Sequence, residues 1–160
     1  MDEIDRRICE LVQRNGQVSN AHIGAAVGVS VSTAHERVRK LMADKTITAW
    51  RAVLDPQRLG AGLCAFMWID MSYEGEAEAK AKLLDCPQVQ EMHHVSGAHS
   101  YLLKLRVPDM AALQHFLQER VKTLRAVRGT ETIFALETVK ETSEILISPS
   151  TQGRHLGEAS

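Results

Sequence analysis

No apolar run in this 160-residue chain approaches the roughly 20 residues needed to span a bilayer, so no transmembrane helix is expected. Cysteine is scarce. Cys9, Cys64 and Cys86 are widely separated, odd in number and without metal-ligand spacing, which fits free thiols in a reducing compartment, with Cys9 and Cys64 in the core. A secretory leader is not expected either, because the opening MDEIDRRICELVQRNG is charged and amphipathic. A cytoplasmic protein follows as the expectation. Catalytic signatures are also missing: there is no nucleophile with a base and orienting acid, and no phosphate loop. Asp109 after Pro108 reads as a helix start, and Ser96-Gly97 lacks a nucleophile-elbow context, so no catalytic residue is assigned and an enzyme is not expected.

What is present is a soluble globular balance, 44% hydrophobic and 24% charged, in a length that suits one ordinary domain or two small ones. The most informative stretch is residues 19–42, SNAHIGAAVGVSVSTAHERVRKLM. Ser19 or Asn20 can cap a helix in which Ile23, Ala26 and Val27 recur at helical spacing. Gly28 suits its left-handed end, Val29 plugs the turn, and Ser30 caps a second helix. There Ala34, Val38, Leu41 and Met42 form an inward stripe. Ser32, Thr33, Glu36, Arg37 and Lys40 face outward, with His35 and Arg39 at the flank. This is the layout of a helix-turn-helix, whose second helix enters the major groove with its N-terminal residues at base edges. Any helical hairpin has one polar face, so the same pattern also fits a merely solvated surface.

Charge supports DNA binding only weakly. The formal net charge is −1, and residues 1–56 carry eight Lys/Arg against seven Asp/Glu. Arg37, Arg39, Lys40, Lys45 and Arg51 still cluster in sequence. Phosphate neutralisation by one subunit is therefore modest, and useful binding needs several subunits acting together.

The remaining pattern gives an α+β chain. A first helix running to Arg14 carries Ile4, Ile8, Leu11 and Val12 on one face and ends at Asn15-Gly16. Residues 47–54 (ITAWRAVL) alternate like a strand, making the head a winged helix-turn-helix over residues 1–50. Asp55-Pro56 and the glycines around 60–62 mark a linker and hinge, residues 51–62. Beyond it come a strand (63–71), a helix (74–85), strands at 89–95 and 101–107, a helix (109–124) and a strand (127–136). That βαββαβ order is ferredoxin-like, a domain spanning 63–147, with residues 137–147 able to add an edge strand. The Ser/Gly-rich residues 148–160 read as a flexible tail. Two helices cover one sheet face. The other carries Phe66, Trp68 and part of YLLKLRV, too apolar to stay wet, and a two-fold dimer through the sheets would cover it and pair two heads.

Together the opening DEIDRRICELVQRNG, the head pattern VGVSVSTAHERVRKL, LDPQRLG after the linker strand, and HHVSGAHSYLLKLRVPDM resemble the Lrp/AsnC (feast/famine) family of transcriptional regulators, up to about residue 147. The resemblance implies a winged helix-turn-helix head on a ferredoxin-like, RAM-type ligand-binding and oligomerisation domain. It implies homodimers assembling to tetramers, octamers or larger, with double-stranded DNA as partner and an amino acid as effector. No cofactor is implied. Carried onto this chain, Ser32, Thr33, Glu36 and Arg37 are the expected base-edge residues, with His35 beside them. Arg37 is assigned a bidentate guanine contact, worth about 1–3 kcal/mol of discrimination. Arg39, Lys40 and Arg51 are assigned to phosphate.

The resemblance places the effector between dimers, around Gly97, Ala98, His99, Ser100 and Tyr101, with His94, Met110, Ile133, Phe134 and Ala135 lining the pocket. Gly97 allows close backbone approach, and turn amides can receive a carboxylate. This chain departs from the family at Ser100, where many members carry an aspartate able to pair with a ligand's α-amino group. Either the ligand differs, another carboxylate substitutes, or no small molecule is sensed. In the last case the chain would be a ligand-independent architectural DNA-binding protein. Of His93, His94 and His99, the first two point to opposite faces of a strand, while His94 and His99 could meet across the turn. No metal site is assigned, and histidines hydrogen-bonded at an interface are the preferred reading.

Overall fold

Asp2 starts the first helix by a reciprocal cap. Its Oδ1 accepts the Asp5 amide at 2.8 Å, while Asp5 Oδ2 accepts the Asp2 amide at 3.4 Å, satisfying two donors that the helix leaves unpaired. The computed structural model describes residues 1–148, and in it this helix, α1, spans Glu3–Arg14. Residues 149–160, expected as tail, lie outside the described residues. Ser19 caps α2 (Asn20–Val27), which Gly28 ends at φ +75°, and Ser30 caps α3 (Val31–Ala43) by accepting the Thr33 amide at 3.1 Å. Ile8, Val12, Ile23, Ala34 and Leu41 are the buried centre of the three helices.

Three of the sequence expectations change here. Residues 47–54 form no strand, because no second strand of the head offers them a hydrogen-bonding ladder among the described residues. The head is therefore a three-helix unit without a wing strand. Met42, expected inward, is partly exposed, and its sulfur accepts the Trp50 indole N–H at 3.2 Å. The described C-terminal residues, from Glu141 on, group with Met1–Ala52 and not with the second unit, Val53–Lys140. They form no edge strand. Gln13 clasps them instead, donating to the Ile145 carbonyl at 3.0 Å and accepting its amide at 3.2 Å.

In the second unit a nearly continuous apolar run (63–71) and an apolar alternation (101–107) form the centre of a sheet. Strands β1 (Leu63–Met71), β2 (Val89–His94), β3 (Tyr101–Val107) and β4 (Val127–Phe134) lie in the order β2-β3-β1-β4, antiparallel throughout. With α4 (Glu76–Leu84) and α5 (Met110–Phe116) the chain follows the ferredoxin-like βαββαβ path. Ala65, Met67 and Ile69 of β1 and Leu103, Leu105 and Val107 of β3 face Ala79, Leu83, Leu113 and Phe116 of the helices. Cys64 and Cys86 are buried, and Cys9 is partly so. The long helix expected over 109–124 is shorter. After Phe116 it widens into a π-helical turn, Leu117–Val121, in which the Lys122 amide reaches the Leu117 carbonyl at 2.9 Å. No helix among the described residues is long and apolar enough to cross a membrane.

Gly24 sets how closely α2 approaches the turn before α3. A Cβ there would lie 2.8 Å from the Val29 carbonyl oxygen, whereas one at Gly28 would meet nothing within 4 Å. Gly24→Ala should thus destabilise the head by about 1–3 kcal/mol through overpacking against backbone. Gly28→Ala should cost about 1–2 kcal/mol through its left-handed φ alone. Denaturant titration of the two variants checks both figures.

Candidate nucleic-acid interface and effector turn

The turn from α2 to α3 fixes which side chains reach outward. Because Ser30 caps α3 and Ala34 and Leu41 are its buried positions, Ser32, Thr33, His35, Glu36, Arg39 and Lys40 are all exposed. The Ser30 hydroxyl gathers its neighbours, lying 3.0 Å from Ser32 Oγ and 2.8 Å from Thr33 Oγ1. His35 Nδ1 sits 3.2 Å from Asn20 Nδ2, linking the two helices. Arg51 is exposed in the segment that leaves the head.

Arg37, expected at a base edge, is engaged by two carboxylates. Its Nη1 donates to Asp2 Oδ2 and Asp5 Oδ1, both at 2.7 Å, so one guanidinium nitrogen fastens α3 to the capped start of α1. Those hydrogen bonds, first to Asp2 and then to Asp5, raise the Arg37 pKa above its ordinary value. The Asp2 carboxyl is lowered, first by the Asp5 amide it accepts and then by Arg37. Arg39 is also engaged, donating from Nη2 to Glu36 Oε2 at 2.8 Å. Neither carboxylate partner of Arg37 was visible as such in the sequence, since both lie more than thirty positions away.

In the second unit the ten residues assigned to the effector fall into two groups. His94 and Tyr101 pair across β2 and β3, and Tyr101 lies opposite Ile69 near the far end of β1. Gly97 (φ +122°), Ala98, His99 and Ser100 complete the hairpin there. Phe134 lies opposite Ala65 and Ile133 opposite Phe66, near the beginning of β1, and the Ala135 amide donates to the Cys64 carbonyl at 3.1 Å. Met110 opens α5 just after β3 ends opposite Leu63, so it belongs to that same end. Ala65 and Ile69 are four residues apart, roughly 13 Å of extended strand. One subunit does not bring the two groups together.

The hairpin itself rests on a residue missed in the sequence, Asp70. Its Oδ1 accepts the Ser100 amide at 3.3 Å, and its Oδ2 lies 3.1 Å from His99 Nδ1. The His99 ring stacks on Trp68 with centroids 5.3 Å apart, and Nε2 is 3.8 Å from Glu131. The Ser100 hydroxyl accepts the Met71 amide at 3.3 Å. His94 instead stacks on Tyr101 at 4.9 Å, on the helix-covered side of the sheet, where the Tyr101 hydroxyl donates to Glu76. That bond is the first cause of a lowered Glu76 pKa. The structure therefore parts His94 from His99, two residues the turn could have brought together, and His93 pairs with Glu91 at 3.2 Å. Among the described residues no group of His, Cys, Asp and Glu is placed to hold a metal.

A capped helix-turn-helix followed by a ferredoxin-like unit defines the class: a DNA-binding transcriptional regulator with a separate ligand-binding domain. Residues 1–42 match the AsnC-type helix-turn-helix domain, and residues 64–145 match the Lrp/AsnC ligand binding domain. The chain belongs to the Lrp/AsnC family of transcriptional regulators. It is 37% identical over 153 residues to the leucine-responsive regulatory protein of Escherichia coli K12, covering 92% of each chain. To the HTH-type transcriptional regulator FL11 of Pyrococcus furiosus it is 32% identical over 145 residues, covering 91% of this chain and 95% of that one. The solved structure of E. coli AsnC superposes with a TM-score of 0.82 at 30% identity, over 90% of this chain and 97% of that one. A Neisseria meningitidis regulator solved with L-methionine shares the fold, with a TM-score of 0.86 at 24% identity, over 91% and 96% of the two chains.

The Arg37 clamp has consequences for stability. Arg37→Ala should lower the thermal midpoint of the head by a few degrees, while Arg39→Ala, which breaks only an exposed pair, should leave it unchanged. Because the folded Asp2 pKa is depressed, its contribution is complete above the ordinary aspartate value of about 3.9 and is lost as pH falls through the folded value. Asp2→Asn should flatten the acid limb of a stability-versus-pH curve below about pH 4, measured by thermal unfolding across that range.

Proposed function

We propose that this regulator reads DNA through the exposed start of α3 and senses an amino acid at a site completed only between copies of the chain. Ser32, Thr33, His35 and Glu36 face the base edges, and Arg39, Lys40 and Arg51 face phosphate. Arg37 is a clamp for the head in this reading, because its Nη1 already serves two carboxylates. The observation that carries the effector proposal is the separation of the two residue groups along β1. A ligand touching Gly97, His99 or Ser100 and also Met110, Ile133, Phe134 or Ala135 takes one group from each of two subunits.

Asp70 is the carboxylate that substitutes for the aspartate many relatives carry at position 100. It lies under the hairpin, already accepting the Ser100 amide, whereas the neutral Ser100 hydroxyl, which accepts the Met71 amide, cannot form an ion pair. The α-ammonium of an amino acid is met by Asp70, and its carboxylate by amides of the Gly97 turn. A dimer through the open sheet face covers Phe66, Trp68, Leu102 and Ile133, which lie on the side away from α4 and α5 and are only partly shielded. Such dimers pair two heads for a palindromic site and then assemble further.

Particle mass in solution, with and without each of the twenty amino acids at millimolar concentration, tests this. A mass that changes with a few amino acids, and no longer changes in Asp70→Asn, is the expected result. A constant mass across the panel overturns effector sensing and favours a ligand-independent architectural role. In parallel, Lys40→Ala should weaken DNA binding almost uniformly across sequences, and Thr33→Ala should relax preference at one position; gel-shift affinities on variant sites separate the two.

A further inference from the structure

The head is short of free positive charge on the surface where DNA approaches. Of the five clustered cations, Arg37 is tied to Asp2 and Asp5 and Arg39 to Glu36, which leaves Lys40, Lys45 and Arg51. The second unit holds a denser reserve. Residues 120–128 (RVKTLRAVR) carry Arg120, Lys122, Arg125 and Arg128 with no acid among them. All four are exposed, and none forms an ion pair within 4.0 Å among the described residues.

Their display is built into the fold. Val121, Leu124 and Ala126 between them are buried in the core of the unit. Two consecutive turns, with the Leu124 amide on the Val121 carbonyl and the Val127 amide on the Leu124 carbonyl, both at 3.1 Å, keep the backbone close. Apolar residues point in and cations point out across the whole connection from the π-helical turn to β4. Of the acids around the connection, Glu78 bonds Lys82 at 2.6 Å and feels Arg125 only through its charge, while Glu119 and Asp85 flank Arg120 without forming an ion pair within 4.0 Å. β4 is an edge strand, so Arg128 stands at an open border of the sheet.

We infer that Arg120, Lys122, Arg125 and Arg128 form a second DNA contact, a sequence-independent seat for the phosphate backbone on the ligand-binding unit, used by duplex that continues past the reading heads. Phosphate binding needs unpaired cations held outward, and this connection supplies four within nine residues. The heads select the site, and the second units then hold the flanking duplex.

The test compares the full-length wild type with R120Q/K122Q/R125Q/R128Q on two duplexes that share one bound site. One duplex is only long enough for a pair of heads, and the other extends several helical turns further. Affinity is measured as a function of salt, since log K falls with log salt by about 0.9 for each phosphate neutralised on duplex DNA. On the long duplex the variant should bind more weakly, with a slope flatter by about 0.9 for each phosphate it no longer neutralises. On the short duplex the two proteins should match. The charge-keeping variant R120K/R125K/R128K should retain the wild-type slope. Equal slopes for wild type and the glutamine variant on the long duplex overturn the inference. So does a fall in the variant's particle mass in the absence of DNA, which assigns the patch to subunit contact.

Discussion

Strand β1 is the constraint on which the second unit depends. Its side chains alternate, so Ala65, Met67 and Ile69 enter the core while Phe66, Trp68 and Asp70 are delivered to the opposite face. The same alternation places Trp68 beneath His99 and Asp70 beneath the Ser100 amide. A one-residue slip in its pairing with β3 would expose the core set and bury a carboxylate, so register and function are coupled. The length of β1 matters equally. Its nine residues hold the hairpin near one end and the close of β4 near the other. The proposed effector site inherits its dependence on a second subunit from that length.

The head solves a different problem. A recognition helix must present donors outward while its own N-terminus and its neighbour's are satisfied. Ser30 does the first, and the Asp2–Asp5 box with Arg37 does the second. Carboxylates at the start of α1 also suit the positive end of that helix. The consequence is electrostatic: a cation expected at a base edge joins two helices. Gly24 serves the same geometry sterically, because only a residue without Cβ leaves room for the Val29 carbonyl.

Periodicity made the sheet legible. The nearly continuous apolar run in residues 63–71 and the alternation in 101–107 delimit β1 and β3 as observed, since both are central strands with one buried face. Caps at Ser19, Gly28 and Ser30 were readable for the same local reason. What escaped is what depends on distant partners. The alternation in residues 47–54 looks like a strand, but a strand exists only with a neighbour to bond. The π-helical turn after Phe116 keeps the apolar spacing of a helix, so nothing in residues 109–124 announces it. Arg37 and Asp70 were hidden because their partners lie 29 or more positions away. The split of the effector residues needed the strand order, which places β4 beside β1 and running against it.

Weak free charge on the head and an effector set divided along one strand lead to the same demand. A single head with two of its clustered cations engaged has few phosphates to neutralise, and affinity grows steeply only when linked contacts add. A single ligand-binding unit likewise holds half of the proposed pocket. The proposed assembly answers both at once, and it makes them interdependent. A ligand that changes how two units meet also changes how many heads reach one duplex together. On that reading the coupling between amino acid and DNA needs no signal passed through the interior of a subunit. It follows from the count and spacing of heads that a given assembly presents, which is a linkage between binding and oligomerisation.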